Sequence, residues 1–139
     1  MSAAVATDAA APRSVGASVW IGRAMRGLIV AFLLFDGGIK VIGLPIVDET
    51  MAQLGYPPGL GLVLGVMTLL IAVLFAVPRT AVLGAILLTG LLGGAMATHL
   101  RVGSPLFSHL LFGLYLGLIA WGGLWLTDAR LRALLPIRT

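Results

Sequence analysis

The hydrophobic positions of this chain fall into four long runs, separated by short stretches that contain proline, glycine or charged residues. A helix that crosses a bilayer needs about 20 mostly apolar residues, and each run approaches or reaches that length. The pattern therefore predicts an all-α fold, a four-helix transmembrane bundle. The predicted spans cover approximately residues 20–42, 59–77, 80–100 and 105–126.

Two shorter amphipathic stretches border these spans. Asp48 is a candidate N-cap for a short helix that ends near Gly55, and Asp128 is a candidate N-cap for another after the fourth span. Both stretches are typical of interfacial helices, which lie at the membrane surface. Residues 1–18 are small and polar, which predicts a disordered cytoplasmic tail, and residues 19–139 are predicted to form the membrane domain.

The composition indicates an integral membrane protein. Hydrophobic residues make up 60% of the chain and charged residues 10%, whereas a soluble domain carries about a quarter charged residues. The mean hydropathy is +1.11. The net charge of +4 is too small and too scattered to indicate nucleic-acid binding. Because the chain has no cysteine, any redox role must use a bound cofactor or a partner.

The basic residues predict the orientation, because cytoplasmic loops of membrane proteins are enriched in Lys and Arg. With four spans, seven arginines fall on the same side of the membrane. These are Arg13, Arg23, Arg26, Arg79, Arg130, Arg132 and Arg138. We therefore expect a multi-pass protein of the bacterial inner (plasma) membrane with both termini in the cytoplasm.

Three of the predicted spans carry pairs of glycines four residues apart. Such pairs let two helix backbones approach closely in lipid, so they predict helix-packing surfaces. The residues are Gly61, Gly65, Gly90, Gly94, Gly113 and Gly117. The pattern favours packing within the bundle, and a homo-oligomer remains the alternative.

Most other polar groups lie towards the outer end of the spans. Asp36 and Lys40 are four residues apart and share a helix face, so pairing lowers the cost of placing charges in the membrane. The candidate ligand-binding residues are Asp36, Lys40, Glu49, Thr98, His99, Arg101 and His109. Together they suit a small polar or quinone-like ligand, or a polar segment of a partner. The alternative is structural, with an ion pair that fixes helix packing and interfacial side chains that meet lipid headgroups.

The motifs of common enzyme classes are absent from the sequence. His99 and His109 are of a metal-binding type, but neither HxxxH nor HExxH spacing occurs, so no metal is predicted. GxSxG, GxGxxG and P-loop sequences are also missing. The sequence thus favours a protein that is not an autonomous enzyme, and a quinone is the one candidate cofactor.

Three segments, "FDGGIKVIGLP", "MAQLGYP" and "GGAMATHLRVGSPLF", resemble the DoxX-like family in their order and spacing. "AVPRTAVLGAILLTG" and "WGGLWLTDARLRALLP" extend the resemblance, which covers approximately residues 23–135. The matching motif positions are Gly37, Lys40, Gly43, Glu49, Gly55, Thr98 and His99.

This resemblance implies a small four-helix membrane protein. The family takes its name from a subunit associated with thiosulfate–quinone oxidoreductase, and relatives are described as parts of membrane oxidoreductase assemblies or as membrane chaperones. We expect an accessory or small-ligand-binding subunit linked to a membrane redox or envelope-stress system. Its expected partners are the lipid bilayer and other membrane subunits. The alternatives are a quinone-linked oxidoreductase component, a small proton-coupled transporter and a membrane chaperone.

Overall fold

The computed structural model describes residues 15–135, and within that range the protein is all-helical. Four long helices are α1 (Ala17–Ile42), α3 (Leu60–Ala76), α4 (Ala81–Arg101) and α5 (Phe112–Thr127). Two short helices are α2 (Pro45–Gln53) and α6 (Ala129–Leu134), and a π-helical turn (Leu106–Leu110) precedes α5. Most of the predicted disordered tail (residues 1–18) lies outside the described residues, as do Arg13 and Arg138. The last two residues of that predicted tail, Ala17 and Ser18, already belong to α1.

The four long helices pack side by side in a closed ring. Helix α1 contacts α3 and α5, and α4 contacts the same two helices. Each long helix contributes to one core, whose largest fully buried side chains are Phe75, Ile29, Leu88, Leu124 and Thr68. The Thr68 hydroxyl donates to the carbonyl of Leu64 at 2.8 Å, so its burial leaves no unsatisfied polar group.

Several helix contacts occur at glycines, where the backbones approach without intervening side chains. A Cβ atom placed on Gly65 would lie only 3.0 Å from the carbonyl oxygen of Gly37, where α3 crosses α1. Gly61 and Gly113 are similarly crowded, because the nearest side-chain atoms would lie 3.0 and 2.8 Å from such a Cβ. Gly117 has an ordinary contact at 3.8 Å. These positions therefore meet neighbouring helices, as their spacing predicts.

Gly90 and Gly94 differ from that prediction. A Cβ atom placed on either would meet no described atom within 4 Å, and both residues are exposed. Helices α3 and α4 instead approach most closely at Gly84, where a Cβ would lie 2.5 Å from the backbone nitrogen of Phe75. This contact lies beside the turn that connects the two helices, whereas Gly90 and Gly94 lie further along α4 and face open space.

Two helical segments, Ala81–Arg101 and Leu106–Thr127, are long and apolar enough to cross a membrane. Helices α1 and α2 taken together would form a third candidate, although the two are bent by 95° relative to each other. Helix α3 is apolar but has only 17 residues. The described residues thus contain two or three candidate spans, and the four-span bundle stays a prediction.

The corner between α1 and α2 depends on Gly43. Its φ angle of +76° lies in the left-handed region, which glycine adopts without a steric penalty. Pro45 then begins α2, at a position where a helix does not need the missing N–H. The prediction that Asp48 caps this helix is wrong, because Asp48 lies within its first turn. Asp128 caps α6 as predicted and accepts two backbone N–H groups.

Candidate functional site

A cavity of about 580 Å³ lies at the end of the ring that carries α2. All four long helices and α2 contribute to its walls. Met67 on α3 and both Gly90 and Gly94 on α4 line the cavity and are also exposed. These residues place part of α3 and α4 on one side of the cavity, where the two glycines contribute no side chain.

Most of the cavity wall is apolar. Phe32 on α1 and Phe112 on α5 meet edge to face, with 5.5 Å between their ring centroids. The other large apolar residues of the wall are Leu33, Ile39, Ile46, Val47, Met51, Leu54, Leu64, Met67, Leu91, Leu92, Met96 and Leu116. Such a lining favours the hydrocarbon part of a ligand over water.

Asp36 and Lys40 form the predicted ion pair, and both line the cavity. The side chain of Lys40 is 18% exposed and that of Asp36 is 28% exposed, so neither is sealed inside the protein. Lys40 Nζ donates to Asp36 Oδ2. An ammonium group has three donors and a carboxylate has several acceptor sites, so both groups keep capacity for a ligand.

His99 and His109 come together from α4 and from the π-helical turn. Their ring centroids are 5.6 Å apart and the ring planes are inclined at 66°. The Nδ1 atom of His99 lies 2.9 Å from the Ser104 hydroxyl, and that of His109 lies 2.7 Å from the Ser108 hydroxyl. Both histidines line the cavity. Because Nδ1 is engaged in each ring, Nε2 is the atom that can meet a ligand.

Tyr56 and Thr98 are hydrogen-bonded to each other at the cavity wall. The Thr98 hydroxyl donates to the carbonyl of Gly94 at 2.9 Å. Since a hydroxyl has one proton, Tyr56 must donate to the oxygen of Thr98. Thr98 therefore ties the segment that follows α2 to helix α4, and its hydroxyl proton is not available to a ligand.

Glu49 and Arg101 do not line the cavity. Glu49 lies on the exposed side of α2. Arg101, also exposed, donates through its guanidinium to the carbonyl of Leu54 at 2.5 Å. This bond and the Tyr56–Thr98 bond hold the same segment against α4. Of the seven predicted ligand-binding residues, the structure brings five to the cavity: Asp36, Lys40, Thr98, His99 and His109.

The contribution of α2 and the segment after it was missed in the sequence. Thr50, Met51, Leu54 and Tyr56 all line the cavity. The sequence predicts that the apolar side of α2 meets the membrane interface, whereas in the structure it covers one end of this cavity. The available signal is Tyr56, an aromatic residue with a hydroxyl group, which lies between Gly55 and the pair Pro57 and Pro58. The sequence pattern indicates this stretch only as a break between helices.

The polar groups of the cavity can donate and accept hydrogen bonds. Within residues 15–135, no group of three or more His, Cys, Asp or Glu side chains could hold a metal ion. The ion pair and the two histidines lie towards one end of the apolar space. Ligand sites in proteins commonly combine a mostly apolar lining with a few polar groups that fix orientation. The arrangement can therefore bind a molecule with a hydrogen-bonding head and an apolar body.

The fold and the cavity define a small helical membrane protein with an internal space of ligand size. The chain matches the DoxX-like family over residues 24–123, and it belongs to that family. The resemblance drawn from the sequence motifs is thereby confirmed. No curated protein and no solved structure gives a significant match to the chain.

Proposed function

We propose that this DoxX-like protein binds a small amphipathic molecule taken from the bilayer. On this proposal it acts as an accessory subunit of a membrane redox or envelope-stress system. The observation that carries the proposal is the position of four polar residues, Asp36, Lys40, His99 and His109, towards one end of a mostly apolar cavity. The head of the ligand lies among these groups, and its apolar body lies along the hydrophobic wall.

A quinone is the candidate ligand. Its carbonyl oxygens accept hydrogen bonds, which Lys40 and a histidine Nε2–H can donate. Its flat ring suits the aromatic wall formed by Phe32 and Phe112. The cavity volume of about 580 Å³ lies within the range of about 300–1,000 Å³ that is usual for small-molecule sites. On this proposal a molecule dissolved in lipid enters on the side where Gly90 and Gly94 line the cavity and face open space.

The proposed setting is the bacterial inner membrane, with four spans and both termini in the cytoplasm. Helix α1 has 26 residues, which corresponds to a length of about 39 Å. Arg23 and Arg26 lie near its beginning, whereas the cavity lies near its end. The chain has no cysteine, so single cysteines report topology without background. A membrane-impermeant maleimide applied from outside should label Glu49→Cys and not Ser18→Cys; the reverse pattern would contradict the orientation.

The ligand proposal is tested by titrating the purified protein with a short-chain ubiquinone. Replacing Lys40 by Met should leave the protein folded, although less stable, and weaken binding by about 10- to 100-fold, as expected for loss of a hydrogen bond from a charged group. The single variant also leaves the Asp36 carboxylate without its partner. The double variant Asp36→Asn with Lys40→Met removes both charges, so it separates the loss of the Lys40 donor from the effect of that unpaired carboxylate. Unchanged affinity in both variants would refute the assignment of this site.

Filling the cavity gives an independent test. Gly94 lines the cavity and Gly93 does not, while a Cβ atom on either would meet no described atom within 4 Å. We therefore expect Gly94→Leu to abolish quinone binding and Gly93→Leu to preserve it, with both variants folded. Equal binding by the two leucine variants would show that the ligand does not occupy this cavity.

The ion pair favours ligand binding over proton-coupled transport. A transport site for a cation needs a carboxylate without a neutralising neighbour, whereas Asp36 is paired with Lys40. We therefore expect no uptake driven by a pH gradient in proteoliposomes that contain the protein. Uptake that responds to such a gradient would support the transporter alternative instead.

A further inference from the structure

A second groove lies on the outer surface between α1 and the end of α3. Its volume is about 460 Å³, and it lies at the opposite end of α1 from the cavity. Along α1 its wall begins with Arg23 and Arg26 and continues through Val30 and Leu34. These positions are three or four residues apart, so they follow one face of the helix. The exposed residues Ala76 and Pro78 form part of the opposite wall.

The two arginines of the groove have no carboxylate partner within residues 15–135, where Asp36–Lys40 is the one ion pair. Arg26 donates to the Thr127 hydroxyl at 3.3 Å and to the carbonyl of Phe75 at 3.4 Å, so its guanidinium is held at the mouth of the groove. Arg23 is exposed and stacks on Trp20, with 5.1 Å to the ring centroid. Both arginine side chains can therefore bind an anion.

The surrounding charges do not neutralise this end of the molecule. Arg79 follows the groove residue Pro78 in the chain, and α6 carries Arg130 and Arg132. The acidic residue among the described residues at this end is Asp128, whose carboxylate is engaged in capping α6. The local charge is therefore strongly positive, and it complements an anionic headgroup.

Below the arginines the groove is apolar and open. Val30 and Leu34 continue its wall along α1, and a Cβ atom placed on Gly27 would meet no described atom within 4 Å. Leu34 is 49% exposed. A pair of cations above an apolar channel matches a phospholipid, whose phosphate lies above its acyl chains, more closely than it matches a free phosphate ion.

We infer that this groove binds one anionic phospholipid, with its phosphate at Arg23 and Arg26 and an acyl chain along Val30 and Leu34. Basic pockets between membrane helices on the cytoplasmic side bind anionic headgroups in this manner. The site is separate from the cavity and does not depend on which molecule the cavity holds. It requires only that this face of α1 meets the bilayer.

The test is native mass spectrometry of the purified protein in micelles with equal amounts of phosphatidylglycerol and phosphatidylcholine of identical acyl chains. We expect one phosphatidylglycerol to be retained in preference to phosphatidylcholine. Arg23→Gln should weaken its retention about fivefold, the effect of one arginine near the membrane surface. Arg130→Gln, which removes the same charge from an exposed position on α6 outside the groove, should weaken retention much less than Arg23→Gln does.

A second pair of variants tests the acyl-chain part of the groove. Gly27→Leu fills the groove, whereas Gly38→Leu places the same side chain on α1 outside the groove, and a Cβ on either glycine meets no described atom within 4 Å. Retention should be lost in the first variant and kept in the second. Equal retention of both lipids, equal effects of the two leucine variants, or full displacement by millimolar glycerol phosphate would overturn the inference.

Discussion

Gly37 and Gly65 meet backbone to backbone where α1 crosses α3. A Cβ atom placed on Gly65 would lie 3.0 Å from the carbonyl oxygen of Gly37, and one placed on Gly37 would lie 3.1 Å from that of Gly65. The Cβ atom of Lys40 packs at the same crossing, 2.7 Å from the position of a Cβ on Gly65. The contact therefore fixes the part of α1 from which Asp36 and Lys40 reach the cavity.

Gly65→Ala should destabilise the protein, because the added methyl group meets backbone atoms and the base of the Lys40 side chain, which cannot move away independently. We expect a loss of about 1–3 kcal/mol in the free energy of unfolding, which is usual for overpacking. Thermal unfolding in detergent would measure it. Gly37→Ala should cost less, since its nearest neighbour, at 2.8 Å, is the flexible side chain of Leu69.

Gly38→Ala is the matched control for that substitution. Gly38 lies on the same helix, and a Cβ atom there would meet no described atom within 4 Å. Alanine also favours a helix by about 1 kcal/mol over glycine. The control should therefore be as stable as the unchanged protein or more so. A Gly65→Ala variant as stable as the Gly38→Ala variant would argue against the close crossing.

The Asp36–Lys40 pair should show energetic coupling in a double-mutant cycle. Each single neutralisation, Asp36→Asn or Lys40→Met, leaves one partly buried charge without its partner. We expect each to destabilise the fold and the double variant to recover part of the loss. The expected coupling is about 0.5–3 kcal/mol, as for residues in direct contact. Strictly additive unfolding free energies in detergent would indicate that the pair contributes nothing to stability.

Tyr56→Phe should loosen the segment between α2 and α3. The variant loses the hydrogen bond to Thr98 and leaves Arg101 as the remaining hydrogen bond from that segment to α4. We expect a loss of about 0.5–1.5 kcal/mol, together with faster hydrogen exchange at residues 54–59. Tyr115→Phe is the control, because the Tyr115 hydroxyl makes no hydrogen bond within residues 15–135 and its side chain is 41% exposed. Similar exchange in both variants would contradict the proposed role of Tyr56.

Gly43→Ala should strain the corner that carries α2. A side chain at φ +76° costs about 1–2 kcal/mol, although a Cβ atom at this position would meet no described atom within 4 Å. The penalty is therefore conformational rather than steric between helices. We expect lower thermal stability and weaker quinone binding, since α2 forms part of the cavity wall. Binding and stability equal to those of Gly38→Ala would show that the corner tolerates the change.

The hydrophobic pattern was sufficient to locate the helices. Long apolar runs and helix-breaking residues predicted α1, α3 and α4 with ends within three residues of those observed. The fourth run differs, because its first residues form a π-helical turn and α5 begins at Phe112. In that turn, His109 hydrogen-bonds through its side chain to Ser108 and faces His99. Such local interactions have no signature in hydropathy.

The candidate site was only partly predictable. Residue types and helical spacing were enough for the Asp36–Lys40 pair, because two residues four apart must share a helix face. Glu49 and Arg101 have the same polar character but lie outside the cavity. Arg101 instead donates to the carbonyl of Leu54, a contact between residues 47 positions apart in the chain, and Glu49 lies on the exposed side of α2.

The glycines show the same division between sequence and tertiary structure. By itself the sequence determined the class of protein, its DoxX-like motifs and the helical faces that carry small or charged residues, since these depend on composition and on a period of about 3.6 residues. The spacing of Gly90 and Gly94 is the same as that of Gly61 and Gly65, yet the first pair lines the cavity and the second packs against neighbours. Only the tertiary structure decided between these roles, because helix direction and crossing point determine whether a small residue faces another backbone or an open space.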